Sequence, residues 1–382
     1  MSEITIIGVD LAKNVFQLHG VDANHRPVLR RQLRRTQMLP FFAKIPPCLV
    51  VMEACGSAHY WAREIGALGH EVRLVPPAYA RPFAKRGKSD SIDAEAVCEA
   101  GARPSMRFVP VKNPEAQALG ALHRTRALLD KQRTMLINAL RAHLAEFGFV
   151  AGKGVSNVPN LARIVEEAPP SRNARAKARG QLRETFERDQ LYLVQLKPIE
   201  RGLISRLPDI ARGALRGLLH MIEQVNLQLG AIEKELRAFH RNNDTSQRLA
   251  ATPGIGLITA TALTGLTPDA TSFKNGRHFA AWMGITPRQD STGGKTRLLG
   301  ISKAGNGYLR RLLVLGATSM LRSLEGKTTR LALWAQGLLA RRPKKVVIVA
   351  LANKLARIAW AIMAKGEPYR AGTIEAQAGA AA

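Results

Sequence analysis

Four carboxylates stand out by their placement: Asp10, Glu53, Asp90 and Asp93. Asp10 closes the apolar run Ile4-Thr5-Ile6-Ile7-Gly8-Val9, and Glu53 closes Cys48-Leu49-Val50-Val51-Met52. Asp90 and Asp93 lie three apart in Ser89–Val97, a helix-like stretch, so one helix face carries both, with Cβ atoms roughly 5–6 Å apart. Acid at the end of a buried strand is costly unless something cationic compensates it. The chain has 29 Asp and Glu against 57 Lys and Arg, so grouped acids call for a reason. Paired Mg²⁺ ions, which take oxygen ligands and activate phosphodiesters, would supply it. The plainer alternative for Asp90 and Asp93 is a favourable place beside a helix dipole. Glu95 and Glu99 are the substitutes if the helix begins elsewhere.

A second group surrounds Ser291 in the polar, glycine-rich stretch Pro287–Arg297. A serine hydroxyl is a weak nucleophile without activation, and no histidine lies near it in sequence. Arg288, Lys295 and Arg297 suit a phosphate and would stabilise charge developing during attack. Composition alone therefore makes this a phosphate-contact turn. Lys303 follows in Ile301-Ser302-Lys303-Ala304-Gly305. Upstream, Pro253-Gly254-Ile255-Gly256 opens a helix in the manner of a helix-hairpin-helix turn, where Gly254 and Gly256 would let backbone N–H groups approach a DNA phosphate.

The elements needed to position these groups are legible in outline. Residues 4–10, 14–21 and 28–33 predict strands, followed by a helix at 37–44, a strand at 48–53, a helix near 59–68 and a strand at 71–75. Hairpin strands followed by alternating helix and strand predict a mixed sheet flanked by helices, the order of an RNase H-like α/β domain, here 1–112. Residues 113–245 read as helical. Leu122, Leu129 and Leu136 are a heptad apart, and Leu215, Leu218, Ile222, Val225, Leu229, Ile232, Leu236 and Phe239 alternate spacings of three and four. That is a coiled-coil pattern. An antiparallel hairpin within one chain and a coil between chains fit it equally. A basic insert lies at about 151–200, and its segment Ser171–Arg179 predicts a solvated helix face or a flexible arm. Residues 246–370 predict a mainly α-helical C-terminal domain, and 371–382 a disordered tail.

A net charge of +28 and a pI near 11.0 point to a polyanionic partner. Cys48, Cys55 and Cys98 lack C-x-x-C spacing, which argues against a disulfide framework or zinc site. No secretory signal is expected, and the longest apolar run, Val346–Ala352, is short for a bilayer span. These features predict a cytoplasmic nucleic-acid protein with no membrane partner.

Gly8–Asn14, Met52–Gly56, Lys88–Val97, Pro253–Gly256 and Gln289–Lys295, in that order, resemble a single family. It is the DEDD transposases of bacterial insertion sequences, the IS-one-ten group and particularly its IS-eleven-eleven branch. The resemblance implies a RuvC-like N-terminal domain whose quartet, Asp10, Glu53, Asp90 and Asp93, binds Mg²⁺, then a coiled-coil middle and a C-terminal transposase domain. It further implies that Ser291 attacks DNA, with Thr292 an adjacent hydroxyl. An element-encoded noncoding guide RNA would choose the sites on double-stranded DNA, and a homo-oligomer would act in the bacterial nucleoid. Two rival expectations are a junction-resolving nuclease using the quartet and water, and a nonenzymatic nucleic-acid scaffold.

Overall fold

The computed structural model describes residues 3–84, 89–166 and 207–372. A five-stranded sheet forms from β1 (Ile6–Leu11), β2 (Val15–Val21), β3 (Pro27–Arg34), β4 (Leu49–Glu53) and β5 (Glu71–Val75), in the order β3-β2-β1-β4-β5. The first three strands run antiparallel. The turn from β2 to β3 is fixed by Asp22, whose Oδ1 accepts from the backbone N of Asn24 and Arg26, both at 2.9 Å. Parallel strands cannot be joined by a tight turn. Helix α1 (Met38–Phe42) therefore carries the chain across to β4, and α2 (Ala58–Ala67) carries it on to β5.

Side chains alternate across the strands, so the sheet builds two apolar layers. Ile7, Val9, Phe16, Val50 and Met52 pack with Trp61 and Ile65 of α2. Val51 and Val75 pack with Val97 and Ala100 of α4 (Asp90–Gly101), which follows the short α3 (Pro77–Ala80). The mixed sheet is the RNase H-like architecture expected. Its helix and strand boundaries fall within a few residues of those read from the sequence.

Residues 121–242 form a separate compact unit. Within it run, antiparallel, α5 (Pro114–Glu146) from residue 121 onward and α7 (Asp209–Arg241). Arg126 pairs with Glu233 at 2.7 Å, and Arg133 donates to Asn226 at 3.4 Å. Leu215 and Ile222 of the heptad seam join Ile137, Leu140 and Leu144 of α5 and Leu161, Ile164 and Val165 of α6 (Val158–Glu166). The start of the seam, at Leu215, Leu218 and Ile222, thus has partners inside its own chain. Leu122, Leu129 and Leu136 are only half-buried. Burial on α5 falls instead on Leu119, His123, Ile137, Leu140 and Leu144, so the heptad leucines are an imperfect guide to its inner face. Most of the basic 151–200 segment lies outside the described residues, as does most of the 371–382 tail.

The C-terminal part is mainly helical, as expected: α8 (Asp244–Ala250), α9 (Leu257–Leu266), α10 (Gly276–Trp282), α11 (Gly307–Arg322), α12 (Arg330–Leu339) and α13 (Lys344–Lys365). Leu263, Phe279, Leu313, Leu351 and Leu355 are fully buried at its centre. Helix α13 is, by length and composition, long and apolar enough to cross a membrane, a point the shorter run at 346–352 did not reveal. Val347, Leu351, Leu355 and Ile362 turn one side of it into this core. Two short antiparallel strands, β6 (Pro287–Gln289) and β7 (Leu298–Ile301), form a separate hairpin.

Candidate active site

The acidic site grows from strand register. Parallel pairing sets Val9 beside Met52, so one step further along brings Asp10 level with Glu53 at the ends of β1 and β4. Helix α4 supplies the other two acids from its first turn. Ser89 caps it, its hydroxyl accepting from the backbone N of Ile92 at 3.4 Å. What lets α4 lie close enough is the absence of a side chain at Gly8. A Cβ there would stand 2.6 Å from both Cys98 Cβ and the Cys98 backbone N. Gly101 makes the same concession at the far end of the helix, where a Cβ would meet Val51 Cγ1 at 2.7 Å. Neither glycine stands among the candidates read from the sequence. The signal is there for Gly8, a lone glycine inside a β-branched strand, which often marks a close approach.

The result is convergence. Asp10, Asp90 and Asp93 each offer one oxygen, and these oxygens all lie within 4.8 Å of one another. Glu53 lies outside that tightest group but adds to the field. Burial first, then Asp90, Asp93 and Glu53, push the Asp10 carboxyl up from 3.8 to about 6, against a hydrogen bond from the Leu11 backbone. Like charges held this close without a cation raise the cost of ionisation. All-carboxylate oxygen donors are what hard divalent cations select, so the residues fit such an ion.

Ser291 lies elsewhere, in the β6–β7 hairpin, where every position from Pro287 to Leu298 is exposed. The hairpin turns at Gly293 and Gly294, with φ of +57° and +76°, and Thr292 and Lys295 bridge across. Ser291 Oγ accepts from Gln289 Nε2 at 2.8 Å and from the Arg297 backbone N at 3.3 Å. Both partners are donors, so the hydroxyl is oriented, and both lie within the hairpin. Arg288, Lys295, Arg297 and Lys303 are all exposed, and no carboxylate of the described residues forms an ion pair with them. The sequence-predicted site residues therefore fall into three groups: a convergent acidic set on two strand ends and α4, a cationic set around the serine, and the glycines of the 253–256 turn.

The turn at Pro253–Gly256 separates the roles of its two glycines. Gly254 has φ +85° and is pressed against α11, where a Cβ would stand 3.1 Å from the Gly316 carbonyl oxygen. Its first duty is packing. Gly256 caps α9 without a side chain and faces open space. Both line a depression of about 550 Å³ with Thr252, Thr259 and Ser319. Thr252 Oγ1 is buried there, with no hydrogen-bond partner among the described residues.

Comparison with known proteins decides the family. A profile described as "Transposase" matches residues 7–149, the sheet and the whole of α5. One described as "Transposase IS116/IS110/IS902 family" matches 246–331, including the serine hairpin. A probable family 20 transposase of Pseudomonas aeruginosa is 44% identical, over 96% of this chain and 98% of that protein. The transposase for insertion sequence element IS1328 of Yersinia enterocolitica is 40% identical, covering 97% and 99%. The transposase for IS1111A of Coxiella burnetii is 37% identical, covering 97% and 93%. The chain belongs to the IS110/IS1111 transposase family. It is accordingly a DNA transposase, and a DEDD domain of this type implies use of a divalent metal. For the transposase, the +28 charge has its polyanion: DNA.

Proposed function

We propose that the transposase moves its own insertion sequence through a phosphoserine intermediate, with Asp10, Glu53, Asp90 and Asp93 holding Mg²⁺ and Ser291 as nucleophile. The observation that carries this reading is the pairing of a convergent acidic cluster with an oriented, exposed serine among uncompensated cations. Bound Mg²⁺ would polarise the scissile phosphate and offset its charge. The chain's own residues do the rest. Ser291 Oγ forms a bond to phosphorus as a deoxyribose oxygen leaves. Arg288, Lys295 and Arg297 lie where they can neutralise phosphate charge. A deoxyribose hydroxyl then displaces the serine and reseals the strand, so the phosphodiester is conserved.

Gly254, Gly256 and Lys303 would contact the DNA backbone, the turn through free N–H groups at the start of α9. Such contacts carry no sequence information. Site choice is assigned to an element-encoded guide RNA that pairs with double-stranded donor and target DNA in the bacterial nucleoid. The active assembly is a homo-oligomer in which Ser291 of one subunit serves the acids of another. Exposed Leu128 and Met135 on α5 and Met221 and Leu227 on α7 leave the helical unit with apolar surface for that contact.

The deciding experiment traps cleaved DNA and seeks a covalent adduct. Wild type and Thr292→Ala should form it, and Ser291→Ala should not. Metal-dependent cleavage without an adduct would favour a junction-resolving nuclease that uses water. No cleavage at all would favour a nonenzymatic scaffold. Site-specific recombination by RNA-free protein would remove the guide. Mixing Asp10→Ala with Ser291→Ala subunits should restore some cleavage if the site is composite. Failure in confirmed mixed oligomers would place it within one chain.

A further inference from the structure

We propose that Arg310 is a positioning residue that clamps both feet of the serine hairpin and so sets where Ser291 can reach. The inference rests on the reading of Ser291 as nucleophile. The hairpin contributes little to any core: Pro287 through Leu298 are exposed, Leu298 at 63%, and Leu299 and Ile301 of β7 are only half-buried. Its attitude relative to the C-terminal core is therefore set at its base. There the chain enters through Met283-Gly284-Ile285 and leaves through Ser302-Lys303-Ala304. The two segments meet backbone to backbone, Ser302 N donating to the Thr286 carbonyl at 2.9 Å and Lys303 N to the Gly284 carbonyl at 3.1 Å.

Arg310, half-buried on α11, closes this junction with one nitrogen. Its Nη1 donates to the Met283 carbonyl at 3.0 Å on the entering foot and to the Ala304 carbonyl at 3.1 Å on the leaving foot. A guanidinium nitrogen of this kind carries two hydrogens, one for each foot, and stays charged at any working pH. Asn353 on α13 backs the entering foot, its Nδ2 donating to the Ile285 carbonyl at 3.1 Å. The junction also holds backbone that does not rest there by itself. Lys303 sits at φ +55°, unusual for a side-chain-bearing residue, between Gly284 at +70° and Gly305 at +76°. A Cβ at Gly284 would stand 2.6 Å from the Ala304 N, so the feet cannot close this tightly with any other residue. A bond that ties two strand feet to a core helix controls the hairpin's tilt. A tilt that moves a nucleophile by about 1 Å can cost about 10²-fold in rate.

The test uses full-length Arg310→Met, which keeps an apolar stem without donors, and Arg310→Lys, which keeps charge and some donors. Amide exchange at Ser302 and Lys303 is followed together with first-strand cleavage, affinity for element-end DNA and thermal melting. In Arg310→Met, exchange at both amides should quicken about tenfold and cleavage should fall about 10²-fold. DNA affinity should stay within about twofold and melting should be unchanged, because the hairpin carries none of the core. Arg310→Lys should recover exchange protection and cleavage together. Unchanged exchange in Arg310→Met overturns the clamp, and so does cleavage that falls only in step with affinity and melting. Recovery of cleavage by lysine without protection overturns it as well. If Arg310→Met does not fold, the lysine variant alone gives the answer, since partial loss of protection without loss of cleavage sinks the proposal. Wild-type cleavage by Ser291→Ala would instead defeat the nucleophile assignment, and the exchange result would still report on the clamp.

Discussion

The acidic end of the sheet and the serine hairpin are positioned by opposite means. Asp10 and Glu53 ride on neighbouring parallel strands whose preceding residues, Val9 and Met52, are fully buried. Asp90 and Asp93 are delivered by a helix packed so closely on β1 that Gly8 has no room for a Cβ. The hairpin is exposed throughout its turn and hangs from the hydrogen bonds at its base. Ligands for small hard cations need geometry held to fractions of an ångström, which packing supplies. A nucleophile that must bond to DNA and later release it has to meet a large partner at the surface. One site is rigid because the strands and helix that carry it pack on buried residues, although Asp90 itself is exposed; the other is reachable because its whole turn is outside.

The largest effect expected from breaking this contrast lies on the rigid side. Asp93→Asn should reduce recombination to background, because one of three oxygens grouped within 4.8 Å loses its charge. The fold should survive, and melting of the metal-free protein should stay level or rise as like-charge repulsion falls. Cleavage assays beside thermal melts check it. An active Asp93→Asn protein would take Asp93 out of the site.

Gly8→Ala should come next. The added methyl forces α4 off β1, an overpacking cost of about 1–3 kcal/mol, and it drags Asp90 and Asp93 away from Asp10. Stability and metal affinity should fall together, read by denaturant melts and by metal titration. Gly66 is the control. It lies inside α2, and a Cβ added there would meet nothing within 4 Å, so Gly66→Ala should stabilise by about 0.5–1 kcal/mol. Equal losses at the two positions would mean that helix approach is not what Gly8 secures.

How far these two regions were legible in the sequence follows the same division. The acids and their strands could be read because burial imposes apolar runs, and a charge ending such a run is conspicuous. Their convergence could be argued only from helix spacing, since register between β1 and β4 is a tertiary fact. Gly8, a lone glycine in a β-branched strand, signals a close approach, but which element approaches is seen only once the helix above it is in place. In the hairpin, polar residues and glycines marked a loop, but nothing in Arg310 or Asn353 announced a tie to carbonyls 27 and 68 positions away. The heptad seam showed that α7 had an apolar face. It could not say whose residues would cover it; at Leu215, Leu218 and Ile222 those were Ile137, Leu140 and Leu144 of the same chain together with α6.

A smaller effect should appear in the pH dependence of the metal-free protein. Burial, with the neighbouring acids, lifts Asp10 from 3.8 to about 6. Between these values the folded state binds a proton that the unfolded chain has released. Stability should therefore fall as pH rises from about 4 to about 6 and then level off, the reverse of a salt-bridged aspartate. Asp10→Asn should flatten that segment, and saturating divalent metal should do the same by compensating the charge. Melts across pH in chelator and in metal decide it. A rise in stability over this range, abolished by Asp10→Asn, would reverse the assigned electrostatics.

The smallest change belongs to the exposed side and tests whether its freedom is local. Gly294 turns the hairpin at φ +76°, with open space where a Cβ would go. Gly294→Ala therefore meets no clash and suffers only the left-handed backbone penalty, roughly 1–2 kcal/mol. Because the turn buries nothing, that cost should fall on the hairpin alone. Global melting should not move, while the population with Thr292 bridged to Lys295 shrinks and recombination drops by about five- to thirtyfold. Asparagine tolerates this conformation far better than alanine, so Gly294→Asn should restore most of the activity. Recombination measured beside amide exchange in the turn distinguishes the outcomes. A fall in global melting as large as that expected for Gly8→Ala would mean that the hairpin is built into the core after all, and the contrast between the two regions would fail.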